Sequence, residues 1–97
     1  MKHRFLEITY RKGEPLAAYL YLARNPADTS RRTERHDSGL LIDYAEDGRP
    51  IGIEITAPRK FTIAALNQAL ADAKQELATP DEVAPLLASG RQGSPAK

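Results

Sequence analysis

The sequence predicts an α+β domain: an antiparallel β-meander of four to five strands, one C-terminal amphipathic helix packed on one face, and a short second helix. Between residues 4 and 56, apolar and polar residues repeatedly alternate with a period of two, as in strands with one buried face. An Asp-Gly pair separates two of these segments. After residue 61 the apolar period lengthens to about three and a half residues, which is typical of a helix.

Residues 40–56 are predicted to form the central β-hairpin of this sheet, with its turn at Asp47-Gly48. A two-residue type I′ turn needs positive φ at both central positions, and Asp and Gly tolerate it. Closing the turn there places three large apolar pairs on one face: Leu40 with Ile55, Ile42 with Ile53 and Tyr44 with Ile51. The same register pairs Leu41 with Glu54, Asp43 with Gly52 and Ala45 with Pro50.

Two alternating segments precede the hairpin and are predicted to form the first antiparallel pair of strands. In residues 4–10 the alternation directs Leu6, Ile8 and Tyr10 toward the core. The turn after this strand is predicted at residues 12–15, Lys-Gly-Glu-Pro. In residues 17–24 three side chains are expected to face the core and two to face away: Ala18, Leu20 and Leu22 inward, Tyr19 and Tyr21 outward.

The remaining segments predict an edge strand and two helices. Residues 31–37 contain no large apolar residue, so we expect a short, exposed edge strand. The main helix is predicted over residues 63–77, with Thr62 as its N-cap and Leu77 as the last residue of its apolar stripe. Residues 79–82, Thr-Pro-Asp-Glu, predict the start of the second helix. The predicted domain covers residues 1–88, and residues 89–97 are predicted to be a disordered tail.

Length, charge and composition restrict the function classes. At 97 residues there is room for one domain with a modest core, which oligomerisation commonly supplements. The 14 basic and 13 acidic residues leave a net charge of +1, which does not favour binding to nucleic acid or to an anionic membrane. No cysteine and no long apolar segment occur, so we expect a soluble, cytoplasmic protein.

Two residue patterns resemble functional motifs, but the predicted strands explain them better. Counted from Asp43, the hairpin has part of the spacing of a calcium-binding loop, yet an alanine occupies a ligand position and the flanks alternate like strands. His36, Asp37 and Ser38 are consecutive, and consecutive strand residues point to opposite faces, so they cannot form a catalytic relay. We therefore expect no catalytic residue, no metal site and no cofactor.

The sheet face away from the predicted helix is the candidate functional surface. It is expected to display Phe5, Tyr19, Tyr21 and Leu41, and aromatic residues with a polar group suit a protein interface. We therefore predict a non-catalytic interaction module that forms a homodimer or binds a protein partner. The alternative is a small ligand-binding protein or enzyme that uses four charged residues near the hairpin: Asp43, Glu54, Arg31 and Arg35.

Several segments together resemble the bacterial domain-of-unknown-function family numbered 2283. They are residues 17–22, Thr33-Glu34-Arg35 and, in the hairpin, Gly39, Asp43-Tyr44, Asp47-Gly48 and residues 52–55. The resemblance implies a small α+β domain with no established activity and no catalytic residues to carry over. Members of this family are sometimes encoded beside small ribonuclease-like toxin candidates, which implies an antitoxin-like role. The chain departs from the family pattern by a longer insertion within residues 25–37 and by an extension at residues 79–97.

Overall fold

The computed structural model describes residues 4–36 and 39–90. Within those residues, five antiparallel strands form one open sheet: β1 Phe5–Arg11, β2 Glu14–Tyr21, β3 Arg32–His36, β4 Leu40–Tyr44 and β5 Pro50–Ile55. Two α-helices follow, α1 Ile63–Asp72 and α2 Ala84–Gly90, each preceded by a short 3₁₀ segment, Pro58–Lys60 and Pro80–Val83. The predicted α+β class is confirmed.

The predicted β-meander is wrong, because the strands lie in the order β1-β2-β5-β4-β3. Residues 22–31 cross to the far edge of the sheet, and the β3-β4-β5 segment then returns until β5 pairs with β2, which is a Greek-key arrangement. The Arg49 side chain ties this crossing to the central hairpin, since it donates to Asp28 Oδ1 at 2.8 Å and to Asp47 Oδ2 at 2.6 Å. The predicted edge strand is confirmed as β3.

The central hairpin forms with a different turn from the predicted one. The Ala45 amide donates to the Arg49 carbonyl at 2.8 Å and the Gly48 amide donates to the Ala45 carbonyl at 2.9 Å, so the loop has three residues. Within this loop only Gly48 has a positive φ, +91°, which is typical of a type I turn followed by a glycine bulge. The predicted two-residue type I′ turn is wrong, because the glycine supplies the only left-handed residue that this loop requires.

A β-bulge at Ile51 restores the predicted register beyond the turn. Tyr44 pairs with Pro50 and Asp43 with Gly52, so Ile51 is the extra residue in β5. The predicted pairs Tyr44–Ile51 and Ala45–Pro50 are therefore wrong. The four pairs beyond the bulge are confirmed: Leu40–Ile55, Leu41–Glu54, Ile42–Ile53 and Asp43–Gly52.

One hydrophobic cluster joins one face of the sheet to the helical segments. Its members from the strands and the residue after β2 are Ala18, Leu20, Leu22, Leu40, Ile42, Tyr44, Ile53 and Ile55. Its members from the rest of the chain are Phe61, Leu66, Ala69, Leu70, Ala78, Val83 and Leu86. Leu6 and Ile8 pack against the cluster as predicted, but Tyr10 is half-exposed, since a second bulge shifts the β1–β2 register beside it.

The main helix begins as predicted and ends early. The Thr62 side chain accepts a hydrogen bond from the Ala65 amide at 3.1 Å, which confirms the N-cap. The helix stops at Asp72 because Lys74 adopts φ +60° and the Gln75 amide bonds back to the Leu70 carbonyl at 2.8 Å, a Schellman ending. Leu77 consequently lies outside the helix and is half-exposed, so its predicted place in the apolar stripe is wrong.

The second helical region starts near the predicted residue. The Glu82 carboxylate accepts a hydrogen bond from the Thr79 amide at 2.9 Å, and both Val83 and Leu86 are fully buried. None of the described helices is long and apolar enough to span a membrane. His3, Asp37, Ser38 and residues 91–97 of the predicted tail lie outside the described residues.

Candidate functional site

The candidate site is the outer face, which we define as the sheet face whose side chains point away from the hydrophobic cluster. Strand pairing arranges this face in two parallel rows that cross all five strands. In the order β1-β2-β5-β4-β3, the first row is Phe5, Tyr21, Gly52, Asp43 and Thr33. In the same order, the second row is Glu7, Tyr19, Glu54, Leu41 and Arg35.

Tyr19 crosses from the second row to the first by lying over Gly52. Its hydroxyl donates to Asp43 Oδ2 at 2.7 Å, and the Thr33 hydroxyl donates to Asp43 Oδ1 at 2.6 Å. A Cβ atom at Gly52 would collide with the Tyr19 ring and hydroxyl, so the bare backbone of glycine provides the space that the ring occupies. Burial, and then the bond to the Asp43 carboxylate, raise the pKa of Tyr19 well above its usual value, because both disfavour the phenolate.

Three aromatic rings form a continuous platform beside this bridge. Phe5 stacks on Tyr21 with ring centroids 4.6 Å apart, and Tyr21 meets Tyr19 edge-on at 4.7 Å. The Tyr21 hydroxyl donates to Glu7 Oε1 at 3.0 Å, a bond that is the main cause of the raised pKa of Tyr21. Both tyrosine hydroxyls therefore have partners within the domain, and the rings are held in place before any partner arrives.

The charged residues of the alternative hypothesis occupy three separate places. Asp43 lies in the first row, where both of its oxygens already accept hydroxyl hydrogen bonds. Glu54 and Arg35 lie in the second row on either side of Leu41, so about 10 Å of sheet separates their strands. Arg31 directly precedes the edge strand, and its side chain lies 3.9 Å from Glu46. Among the described residues, no group of three potential metal ligands is present.

The edge strand contains a polar cluster that sequence reasoning missed. The Arg32 guanidinium lies 4.1 Å from the ring centroid of Tyr44 and forms an ion pair with Glu34, whose carboxylate also accepts a bond from the Tyr44 hydroxyl at 3.2 Å. Burial raises the pKa of Tyr44, and the contact with Arg32 lowers the pKa of Glu34. The alternating positions of Arg32, Glu34 and His36 in the sequence could have indicated that these charged residues share one face of the edge strand. We interpret this cluster as structural, since it covers the exposed side of Tyr44.

Comparison with known protein families identifies the part of the chain that contains most of the outer face. Residues 17–57 match the family described as "Protein of unknown function (DUF2283)". The resemblance to this family that the sequence motifs indicated is therefore confirmed. The DUF2283 match extends from β2 to just beyond β5, which is less than half of the chain, and includes Tyr19, Tyr21, Leu41, Asp43 and Gly52. No curated protein and no solved structure matches the chain significantly.

Proposed function

We propose that this domain is a non-catalytic self-association module and that two copies pair through their outer faces. The observation that carries the proposal is the aromatic platform of Phe5, Tyr21 and Tyr19, which shares the outer face with Leu41. Phe5 is 50% exposed, a large apolar area for a residue held rigidly by stacking. Rigid aromatic residues with satisfied hydroxyls contribute contact area at little entropic cost on binding.

Charge complementarity specifies how the two copies meet. A two-fold axis that runs along β5, the middle strand, places each row of one copy over the same row of the other in reverse order. In the second row, Glu7 then lies opposite Arg35 of the second copy. An axis that ran across the strands along the second row would place each charge of that row opposite itself, and an axis midway between the rows would place Glu7 over Phe5 and Arg35 over Thr33. We therefore place the axis along β5, where acidic and basic ends of the row meet.

Glu54 is the one unfavourable residue in this arrangement. It is the middle residue of the second row, so the axis brings it close to Glu54 of the second copy. Two like charges at the centre of an interface weaken association. We therefore propose a weak, reversible dimer whose affinity the Glu54 charges limit.

Two other roles stay predictions. A ligand-binding or catalytic use of Asp43 is less favoured, because Tyr19 and Thr33 already hold both carboxylate oxygens. The antitoxin-like role implied by the family resemblance would use the same outer face for a different protein. The oligomeric state of the isolated chain distinguishes the two roles, because a chain with the antitoxin-like role would be monomeric on its own.

The oligomeric state of the purified chain tests the proposal, and sedimentation velocity over a concentration series up to about 100 μM covers the range of weak complexes. We expect a monomer–dimer equilibrium that Leu41→Lys weakens at least about tenfold by adding a charge to the interface. Leu77→Lys is the matched control, because Leu77 is 54% exposed, follows α1 and belongs to neither row of the outer face. A wild-type chain that stays monomeric throughout, or a Leu41→Lys variant that dimerises normally, contradicts self-association through this face.

A further inference from the structure

A cleft of about 580 Å³ lies at one end of the sheet, between the Lys12-Gly13 turn of the β1–β2 hairpin and the 3₁₀ segment Pro58–Lys60. This volume is in the range of sites that bind small molecules. The lining is chemically mixed. It combines apolar side chains, chiefly Leu16 and Pro58, with cations from both of the elements that form the walls.

Leu16 is an unusual component of this cleft. Thr9 pairs with Ala17 and Tyr10 pairs with Pro15, so Leu16 is the extra residue of the bulge in β2. Bulges commonly redirect a side chain next to a binding site. The extra residue of the other bulge, Ile51, is fully buried, whereas Leu16 is 51% exposed where it lines the cleft. The bulge thus presents a large apolar side chain to a potential ligand instead of to the core.

The charge of the cleft is strongly unbalanced. Its lining includes four cations and one anion, Glu14, which forms an ion pair with Arg59. The other three cations, Arg11, Lys12 and Lys60, form no ion pair within residues 4–36 and 39–90. This concentration of positive charge contrasts with a chain whose net charge is only +1. It creates a local positive potential that attracts anions.

We propose that this cleft binds a small amphipathic anion, with the apolar body of the ligand on Leu16 and its acidic group against Lys60 and Lys12. The apolar wall contacts the apolar body of such a ligand, and the cationic rim contacts its acidic group. The wall alone would also accept a neutral apolar molecule, and the rim alone would also accept a simple inorganic anion. The site lies at the end of the sheet and does not depend on self-association through the outer face.

Fluorescence titration of the full chain with anilinonaphthalene sulfonate, an aromatic sulfonate, tests this proposal. We expect saturable binding to the wild-type protein and an affinity about tenfold lower for Lys60→Glu, because reversing one charge beside the sulfonate turns attraction into repulsion. Leu16→Ser should also lower the affinity. Lys74→Glu is the matched control, because Lys74 follows α1 and is not part of the cleft lining, and it should bind like wild type.

A second probe separates the cleft from other apolar surfaces. Phenylnaphthylamine has the same rings without the sulfonate, so it should bind more weakly and show no dependence on the charge of residue 60. Leu41→Lys should leave the sulfonate affinity unchanged, because Leu41 lies on the outer face and is not part of the cleft lining. Equal affinities in Lys60→Glu and Lys74→Glu, equal binding of the charged and neutral probes, or no saturable binding would overturn the proposal. Far-UV circular dichroism of each variant confirms that it is folded.

Discussion

Tyr19 and Asp43 are joined by a 2.7 Å hydrogen bond although their strands, β2 and β4, are not neighbours in the sheet. The tyrosine ring reaches Asp43 by crossing the intervening strand at Gly52, the one position in β5 that has no side chain in its way. This contact links the first hairpin of the sheet to the second. It also places the Tyr19 ring beside Tyr21 in the surface that we propose for self-association.

Adding a methyl group at Gly52 should displace the Tyr19 ring. Gly52→Ala is expected to destabilise the protein by about 1 to 2 kcal/mol, because the ring must swing away and leave Asp43 with one fewer donor. Urea denaturation measures this difference as a shift of the midpoint at constant slope.

The control for Gly52→Ala is the same substitution made in a Tyr19→Ser variant. When Tyr19→Ser has removed the ring, Gly52→Ala should be neutral or stabilising by about 0.5 kcal/mol, because alanine is less flexible than glycine in a strand. An equal cost in both backgrounds would show that the ring does not occupy the space over Gly52.

Removal of the Tyr19 hydroxyl should make stability less dependent on alkaline pH. The pKa of Tyr19 is raised in the folded protein, first by burial and then by its bond to Asp43, whereas an unfolded tyrosine ionises near pH 10. The stabilisation is therefore complete below about pH 10 and is lost as the pH rises above it. Tyr19→Phe should cost about 1 kcal/mol at neutral pH, and its difference from wild type should shrink between about pH 9 and about pH 11.

Urea denaturation at a series of pH values measures this effect. Tyr10→Phe is a suitable control, since Tyr10 is 52% exposed and lies next to a bulge. A Tyr19→Phe deficit that stays constant up to about pH 11 would argue that the hydroxyl is not bonded to a carboxylate.

The turn of the central hairpin should depend on the backbone at residue 48 and not on the space around it. Gly48 has φ +91°, and a Cβ atom there would meet nothing within 4 Å. We expect Gly48→Ala to cost about 1 kcal/mol and Gly48→Val about 2 kcal/mol, whereas Gly48→Asn should cost less than either because asparagine tolerates positive φ. Denaturant midpoints give this order, and a valine variant as stable as the asparagine variant would contradict the turn geometry.

Exchanging two charges should test the orientation of the dimer. Glu7→Arg and Arg35→Glu should each weaken the dimer, about fivefold or more, because each places like charges opposite one another across the axis. The double variant should lose less affinity than the two single losses combined, since it restores the pair with reversed signs even though Tyr21 loses its hydrogen bond to Glu7. Sedimentation velocity measures the three dissociation constants, and simple addition of the two losses in the double variant would reject an axis along β5.

Neutralising the Glu54 carboxylate, at the centre of the proposed interface, should strengthen the dimer. Glu54→Gln is expected to tighten the dimer by about fivefold, because it removes the repulsion between two carboxylates at the axis. Asp81→Asn, which removes an exposed carboxylate on the 3₁₀ segment before α2, should leave the dissociation constant unchanged. A dimer weakened by Glu54→Gln would indicate that Glu54 contacts a donor in the second copy and that the axis lies elsewhere.

Local pattern predicted those parts of the fold in which residues close in sequence interact. The alternation of Ala18, Leu20 and Leu22 is confirmed by their burial, and the side-chain cap at Thr62 starts the helix where its residue type indicates. The end of the helix was less predictable, because Lys74 adopts the left-handed conformation that glycine usually supplies. The surface position of Phe5, Tyr19 and Tyr21 was also predictable from period-two alternation, but the stacking and bridging of their rings was not.

By itself, the sequence determined the strand faces, the four regular pairs of the hairpin and the family resemblance, because alternation, turn residues and motifs act over a few neighbouring positions. Only the tertiary structure decided that β5 lies between β2 and β4 and that Leu16 and Ile51 are the extra residues of two β-bulges. It also decided that Tyr19 reaches Asp43 over Gly52. These features depend on contacts between distant segments. The free energy that stabilises these features comes from packing between segments that are far apart in the sequence, so no short segment predicts them.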